Sequence, residues 1–413
     1  MRIAVISDIH YGSMSSTNEL AIKGEPLHDG AVSNASPLFQ GLIDALTQEK
    51  PDYLFVTGDL TSTGSPLEFR NCYEKIHQLA KSASILPEKV VLCLGNHDID
   101  WRITRLVDVY KSPSHAAYLS EDIEFLESEY RKIAHNWAVS EINRLQDRTA
   151  RFTQPYSDTP LTGIVEHDDC IIFILNSGHL CYHDESHKHG ALSKKQLQWF
   201  QDSVNQHISS SKTKIVLLHH HPFNYPFPLI GRDVSTLEEG SELYEICGKA
   251  GIDLVIHGHR HHPKAKTVSE NGWVSSVTYI CAGSLSVNAS HRLQGAIPNT
   301  FHIVDFKNRE QIVLRNFEYS FTDGWVPTKD FRAEVPLEGT MLLGKPVNIG
   351  DKSIIELIKK LPINTKIEYD SLNNDLSYLY RRELLGLVEQ VFPKCTIYPS
   401  MDHFMIYEPD RRA

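Results

Sequence analysis

Five short groups of residues in this 413-residue chain carry side chains suited to metal binding and proton transfer. Asp8 and His10 stand two apart, Gly58 precedes Asp59, and Gly95 leads into Asn96, His97 and Asp98. Further on, His219, His220 and His221 run into Pro222, and His257, Gly258, His259, Arg260 and His261 close the series. Carboxylates, an amide oxygen and imidazoles are the donors, and no cysteine stands among them. Such an oxygen and nitrogen set favours manganese, iron, zinc or a similar borderline divalent ion over a soft-metal site. A lone Asp-x-His pair recurs by accident, so the weight lies in all five groups occurring together.

Each group follows an abrupt end of an apolar run. Ile3 to Ser7 precedes Asp8, Tyr53 to Thr57 precedes Gly58, Val90 to Leu94 precedes Gly95, Ile215 to Leu218 precedes His219, and Leu254 to Ile256 precedes His257. Runs of this kind suit strands buried on both faces. In layered α/β folds, functional groups collect at the carboxyl ends of such strands. Helical stretches fall between them: Ser36 to Lys50, with its Leu38, Leu42, Ile43 and Leu46 stripe, and Leu67 to Ser82. The Ser193-x-x-Gln196 spacing predicts another helix start. The alternation indicates an α/β fold.

Helical periodicity at Ile123, Leu126, Tyr130, Ile133 and Trp137 predicts a helical insertion over about residues 102–151. From Ala265 to Tyr319 come short β-type runs, Val277 to Cys281, Phe301 to Phe306 and Gln311 to Phe317, read as a β-rich second layer. Pro327, Pro336, Gly339, Gly344, Pro346 and Gly350 then punctuate the chain. They set the expected division into a catalytic domain, 1–325, and a small α+β module, 326–413.

The formal charge of -11 argues against bulk electrostatic coating of nucleic acid, although a local basic groove is compatible with it. No apolar stretch reaches the roughly 18 residues of a membrane span, so no membrane association is expected. The seven cysteines show no C-x-x-C spacing and read as reduced, buried thiols. A cleaved leader would remove Asp8 and His10, so a cytoplasmic location is expected.

In order and setting, D-x-H, G-D, G-N-H-D, H-H-x-P and G-H-x-H resemble the signature of the calcineurin-like metallophosphoesterase superfamily over residues 1 to about 320. Asn176-Ser177 and Gly190-Ala-Leu-Ser193-x-x-Gln196-Leu-x-Trp199 resemble more loosely its bacterial cyclic-nucleotide phosphodiesterase branch. The resemblance implies a four-layer α/β/β/α sandwich and two divalent ions bridged by Asp59. It assigns Asp8, His10 and His261 to the first ion, and Asn96, His259 and a histidine of the 219–221 cluster to the second. The family's spacing to proline selects His220, with His219 in packing or behind the ligands.

A metal-bridging hydroxide would be the nucleophile. His97 would assist the transition state, with Asp98 either orienting it or serving as a loop or cap carboxylate. His179, His183, His187 and His189 read as a solvated loop, His257 and His262 as supporting residues, and Arg260 as a surface ion pair rather than a phosphate contact. Small nucleotide-type phosphodiesters are the expected substrates. A nuclease is the alternative and a non-catalytic scaffold the weaker one, with oligomer or partner contacts expected through the C-terminal module.

Overall fold

The computed structural model describes residues 1–27, 37–100, 149–179, 181, 190–223, 235–270, 272–292, 297–308, 311–320, 322–328, 340–344, 352–368, 372, 388, 391–399 and 403–408. All of the expected helical insertion but residues 149–151 therefore falls outside the described residues, as do His183, His187 and His189.

Two sheets form the centre. In the first, β1 (Arg2–Ile6), β2 (Tyr53–Thr57) and β3 (Val90–Cys93) run parallel. Antiparallel β11 (Thr300–Asn308) and β12 (Gln311–Ser320) extend it beyond β1. β13 (Gly324–Pro327) and β14 (Thr340–Gly344) both pair with β12. In the second sheet, β6 (Cys170–Ile174), β7 (Thr213–Leu217), β8 (Leu254–His257) and β10 (Val277–Cys281) run parallel. Antiparallel β4 (Gln154–Pro155), β5 (Gly163–Glu166) and β9 (Lys264–Val268) flank them.

Side chains alternate across each strand, and the apolar clusters record the layers directly. Ile3, Val5, Tyr53 and Phe55 pack inward with Ile172, Ile215, Leu217, Leu254 and Ile256, joining the two sheets. Ala4, Ile6, Leu54 and Val56 face the opposite way, onto α1 (Leu38–Glu49) and α2 (Pro66–Ser82). Phe173, Val216, Val255 and Tyr279 pack with residues of α3 (Lys194–Gln206) and α4 (Gly240–Lys249). The result is the expected four-layer α/β/β/α sandwich, and the central parallel strands are largely apolar because both their faces are covered.

Capping fixes two of these helices. Ser65 and Glu68 close a reciprocal capping box at α2. At α3, Ser193 Oγ accepts from Gln196 N at 3.1 Å, but the Gln196 side chain is engaged elsewhere. Its Oε1 accepts from Asn176 N at 2.9 Å, anchoring the chain beyond β6.

Two expectations change. The β-type runs after residue 265 do not make a layer of their own, because β10 joins the second sheet beside β8 while β11 and β12 cross over to the first. The division at 325 falls inside β13, and the first sheet continues to Gly344, so Pro327 and Gly344 stand within strands of that sheet. Beyond it, α5 (Lys352–Ile358) precedes a three-stranded sheet of β15 (Lys366–Glu368), β16 (Thr396–Pro399) and β17 (His403–Tyr407). Ile358, Ile367, Val388 and Ile406 cluster there. Among the described residues, no helix is long and apolar enough to cross a membrane.

Candidate metal centre

The loops beyond β1, β2 and β3 meet those beyond β7 and β8, so the five groups converge at the carboxyl ends of both sheets. Backbone bonds stitch the loops together: Asp8 N to Gly58 O at 3.0 Å, His10 N to Asp59 O at 2.9 Å and Gly258 N to His219 O at 2.9 Å. Asp8, His10, Asp59, His259 and His261 all have positive φ, between 48° and 79°. Left-handed backbone costs a non-glycine residue about 1–3 kcal/mol and is retained where function holds it. The two glycines that precede Asn96 and His259 have steric reasons. A Cβ on Gly95 would overlap Asp59, and one on Gly258 would overlap Ser7 Oγ and Asp8 Oδ2.

Two donor groups share Asp59. In the first, Asp8 Oδ1 lies 3.2 Å from His261 Nε2 and 3.9 Å from His10 Nε2. The two imidazole nitrogens are themselves 3.2 Å apart, and His10 Nε2 is 3.5 Å from Asp59 Oδ2. In the second, the same Asp59 oxygen lies 3.2 Å from His219 Nε2, and His259 joins the group. His259 Nδ1 is 3.0 Å from Asn96 Oδ1.

The opposite end of each ring explains which nitrogen faces inward. His219 Nδ1 donates to Thr57 O at 2.7 Å, and His261 Nδ1 to His291 O at 2.8 Å. Carbonyl oxygens only accept, so Nδ1 carries the proton and Nε2 is the nitrogen offered to an ion. Asp8 is oriented likewise: Ser7 Oγ and His259 N donate to Oδ2, which leaves Oδ1. Asp8 Oδ1 and His219 Nε2 are buried at ion-pair distances from their neighbours yet lack hydrogen-bond geometry. Such atoms call for a cation between them, a metal ion or, without one, a proton on the imidazole. Two divalent ions fit this donor set.

The charges agree. Burial would raise the Asp59 carboxyl, but His219, His97 and His10 around it hold it well below the usual range. Burial would lower His219, and the Asp59 carboxylate overrides it, raising His219 to about 9. His261 is raised against burial by Asp8. Without ions, a proton on His219 supplies positive charge beside the Asp59 carboxylate. His10 and His259 are pushed far down, first by burial and then by neighbouring histidines.

His97 stands beside this cluster. Its backbone N donates to Asp59 Oδ1 at 2.8 Å, its Nδ1 faces Ser62 O at 3.0 Å, and its ring meets that of His10 edge-on at 4.6 Å. Burial lowers its pKa and the Asp59 carboxylate opposes that. Asp98 does not take the His97 ring. Its carboxylate accepts from Gly95 N at 2.9 Å, Thr61 N at 3.0 Å and Thr61 Oγ1 at 3.1 Å, so it ties the 95–98 turn to the loop after β2. Burial and the Asp59 charge push Asp98 up to about 7.

Of the expected ligands, Asp8, His10, Asp59, Asn96, His259 and His261 come together, and His220 does not join the Asp59 group. His220 Nδ1 meets Ser177 Oγ at 2.9 Å, and its Nε2 lies 3.8 Å from Cys181 Sγ. His219 takes the place expected for His220, and strand alternation could have shown it. Ile215 and Leu217 face the first sheet, so His219 continues their side, whereas His220 continues the side of Val216 and Leu218 toward the helices. Arg260 donates to Ser235 Oγ at 3.2 Å. Ser7 and the carbonyls of Thr57 and His291 carry no one-dimensional signal for the roles that they play here.

The family described as calcineurin-like phosphoesterase matches residues 1–263, a span that holds all five groups. No curated protein matches the chain. Among solved structures, a purple acid phosphatase from yellow lupin (Lupinus luteus) seeds superposes with a TM-score of 0.46 at 14% identity, over 79% of this chain and 52% of that one. The chain thus spans about half the length of the lupin protein. A dimetal phosphatase from Danio rerio superposes with a TM-score of 0.41 at 11% identity, over 76% of this chain and 95% of that one.

Proposed function

The chain belongs to the calcineurin-like phosphoesterase family, and we propose that it is a two-metal hydrolase that cleaves phosphodiesters of small nucleotides. The observation that carries the two-metal reading is Asp59 Oδ2, which lies within 3.5 Å of His10 Nε2 and 3.2 Å of His219 Nε2 and so joins both donor groups. Asp8, His10 and His261 would hold one divalent ion with Asp59, and Asn96, His219 and His259 would hold the other. Bound there, such ions polarise phosphoryl oxygens and lower the pKa of water toward neutrality.

The protein's own groups do the rest. With Nδ1 anchored at Ser62 O, His97 presents Nε2 as its chemical end. As an imidazolium it donates a hydrogen bond or proton to the departing oxygen, a contribution of about 10²–10⁴ in rate. Phosphate negative charge favours that protonated form, against the burial that disfavours it. Support for a nucleotide diester comes from the sequence pattern around Asn176-Ser177 and Gly190 to Trp199. Ser177 touches the 219–220 turn, and a Cβ on Gly190 would overlap the His220 ring, so that pattern borders the second donor group.

The test compares kcat/KM for a cyclic mononucleotide, a bis-nitrophenyl phosphodiester and the nitrophenyl monoester with manganese supplied. Preference for the diesters is expected. Preference for the monoester removes the diester assignment, and efficient DNA cleavage without turnover of small diesters replaces it with a nuclease.

A further inference from the structure

We propose that Ser177 decides which of His219 and His220 faces the metals, acting as a positioning residue for the second ion; this rests on the two-metal reading above. Ser177 is fully buried and follows β6, the parallel neighbour of β7, with Leu175 N continuing the ladder to Leu217 O at 2.9 Å. Its place is held from both sides. Asn176 N is anchored on Gln196 Oε1, and Ala191 N donates to Ser177 O at 3.0 Å.

From there the Ser177 hydroxyl meets three groups of the 219–220 turn. His219 N donates to Oγ at 3.3 Å and His220 N at 3.1 Å, while His220 Nδ1 lies 2.9 Å away. A serine hydroxyl has two acceptor lone pairs and one proton. The two backbone N–H groups fill the lone pairs, so the proton goes to His220 Nδ1. With Nδ1 accepting, His220 carries its own proton on Nε2, 3.8 Å from Cys181 Sγ. The serine thereby engages His220 at the nitrogen it would offer from that side and leaves it a protonated nitrogen at the other. It also fixes the turn so that His219, with Nδ1 donating to Thr57 O, offers Nε2 to Asp59. One hydroxyl excludes one imidazole and presents the next.

The experiment titrates cobalt(II) into the full-length chain and reads stoichiometry and the ligand-field spectrum, for the parent and four variants. Ser177→Ala is expected to weaken the second ion about 10–100-fold, as loss of an outer hydrogen-bond partner does, while the first ion binds as in the parent. Ser177→Thr, which keeps the hydroxyl, is expected to recover most of that loss. His220→Ala is expected to retain both ions, and His219→Ala only the first. The proposal is overturned if Ser177→Ala binds both ions like the parent, if it loses both alike, or if His220→Ala is the variant that loses the second. A parent that takes up no ion refutes the two-metal reading itself. Nitrogen-15 NMR of labelled histidine separates the cases without metal: Nε2–H on His220 in the parent, lost as the sole tautomer in Ser177→Ala, is expected, and Nδ1–H on His220 in the parent overturns the proposal.

Discussion

Replacing Asp98 by asparagine separates a catalytic from a positioning role. The fully buried carboxylate accepts three hydrogen bonds, from Gly95 N, Thr61 N and Thr61 Oγ1. Asparagine has the same shape, but one oxygen becomes an NH₂ that must face either Gly95 N or the Thr61 donors, donor against donor. Losing a hydrogen bond to a charged acceptor costs about 1.5–3 kcal/mol, and a buried N–H left unpaired costs about 1–3 kcal/mol. The two overlap, so Asp98→Asn should destabilise the chain by about 2–4 kcal/mol. The cost is partly offset because burial and the Asp59 charge already disfavour the ionised Asp98. Because the same turn carries Asn96, the second ion should bind more weakly, while kcat at full metal occupancy changes little. Urea unfolding followed by circular dichroism gives the first quantity, and metal titration with steady-state kinetics gives the others. Unchanged stability together with a collapse of kcat at full occupancy would refute the reasoning and put Asp98 in the chemistry.

Three further outcomes are expected. His97→Ala should retain both ions and lose about 10²–10⁴ in kcat; loss of metal from this variant would mean that the ring supports the metals instead. Gly258→Ala drives a Cβ into Ser7 Oγ and Asp8 Oδ2, so the first ion should be lost while the circular dichroism spectrum is kept; full metal content would show that the loop yields. His219 is raised to about 9 in the ion-free centre, so below that pH metal uptake must expel its proton. Affinity for the second ion should therefore fall about tenfold per pH unit on acidification, and a pH-independent affinity across the neutral range would contradict this.

The sequence exposes what local pattern controls. Ile3 to Ile6, Tyr53 to Val56 and Val90 to Leu94 are apolar because each strand is covered on both faces, and that makes the strand ends, and hence Asp8, Asp59 and Asn96, visible. The helix at Ser193 is legible from its cap alone, yet the second role of Gln196, on Asn176 N, depends on a partner 20 residues away. Counting back from Pro222 favours His220 over His219 because it ignores the period-two alternation that continues from Ile215 and Leu217. Asp98 carries no mark that separates a capping carboxylate from a catalytic one, since its partner Thr61 lies 37 residues distant. The runs after residue 265 read as one layer because nothing local reveals that β11 crosses back to pair with β1.

The central claim is that Asp59 joins two metal sites into one hydrolytic centre. Metal content at saturation, measured by mass spectrometry on the parent and on Asp59→Asn beside hydrolysis of a nitrophenyl phosphodiester, tests it most directly. Two ions per parent chain are predicted, with loss of the pair and of hydrolysis together in the variant. Full hydrolysis by a chelator-treated, metal-free parent, or two tightly held ions in a fully active Asp59→Asn, would contradict the account.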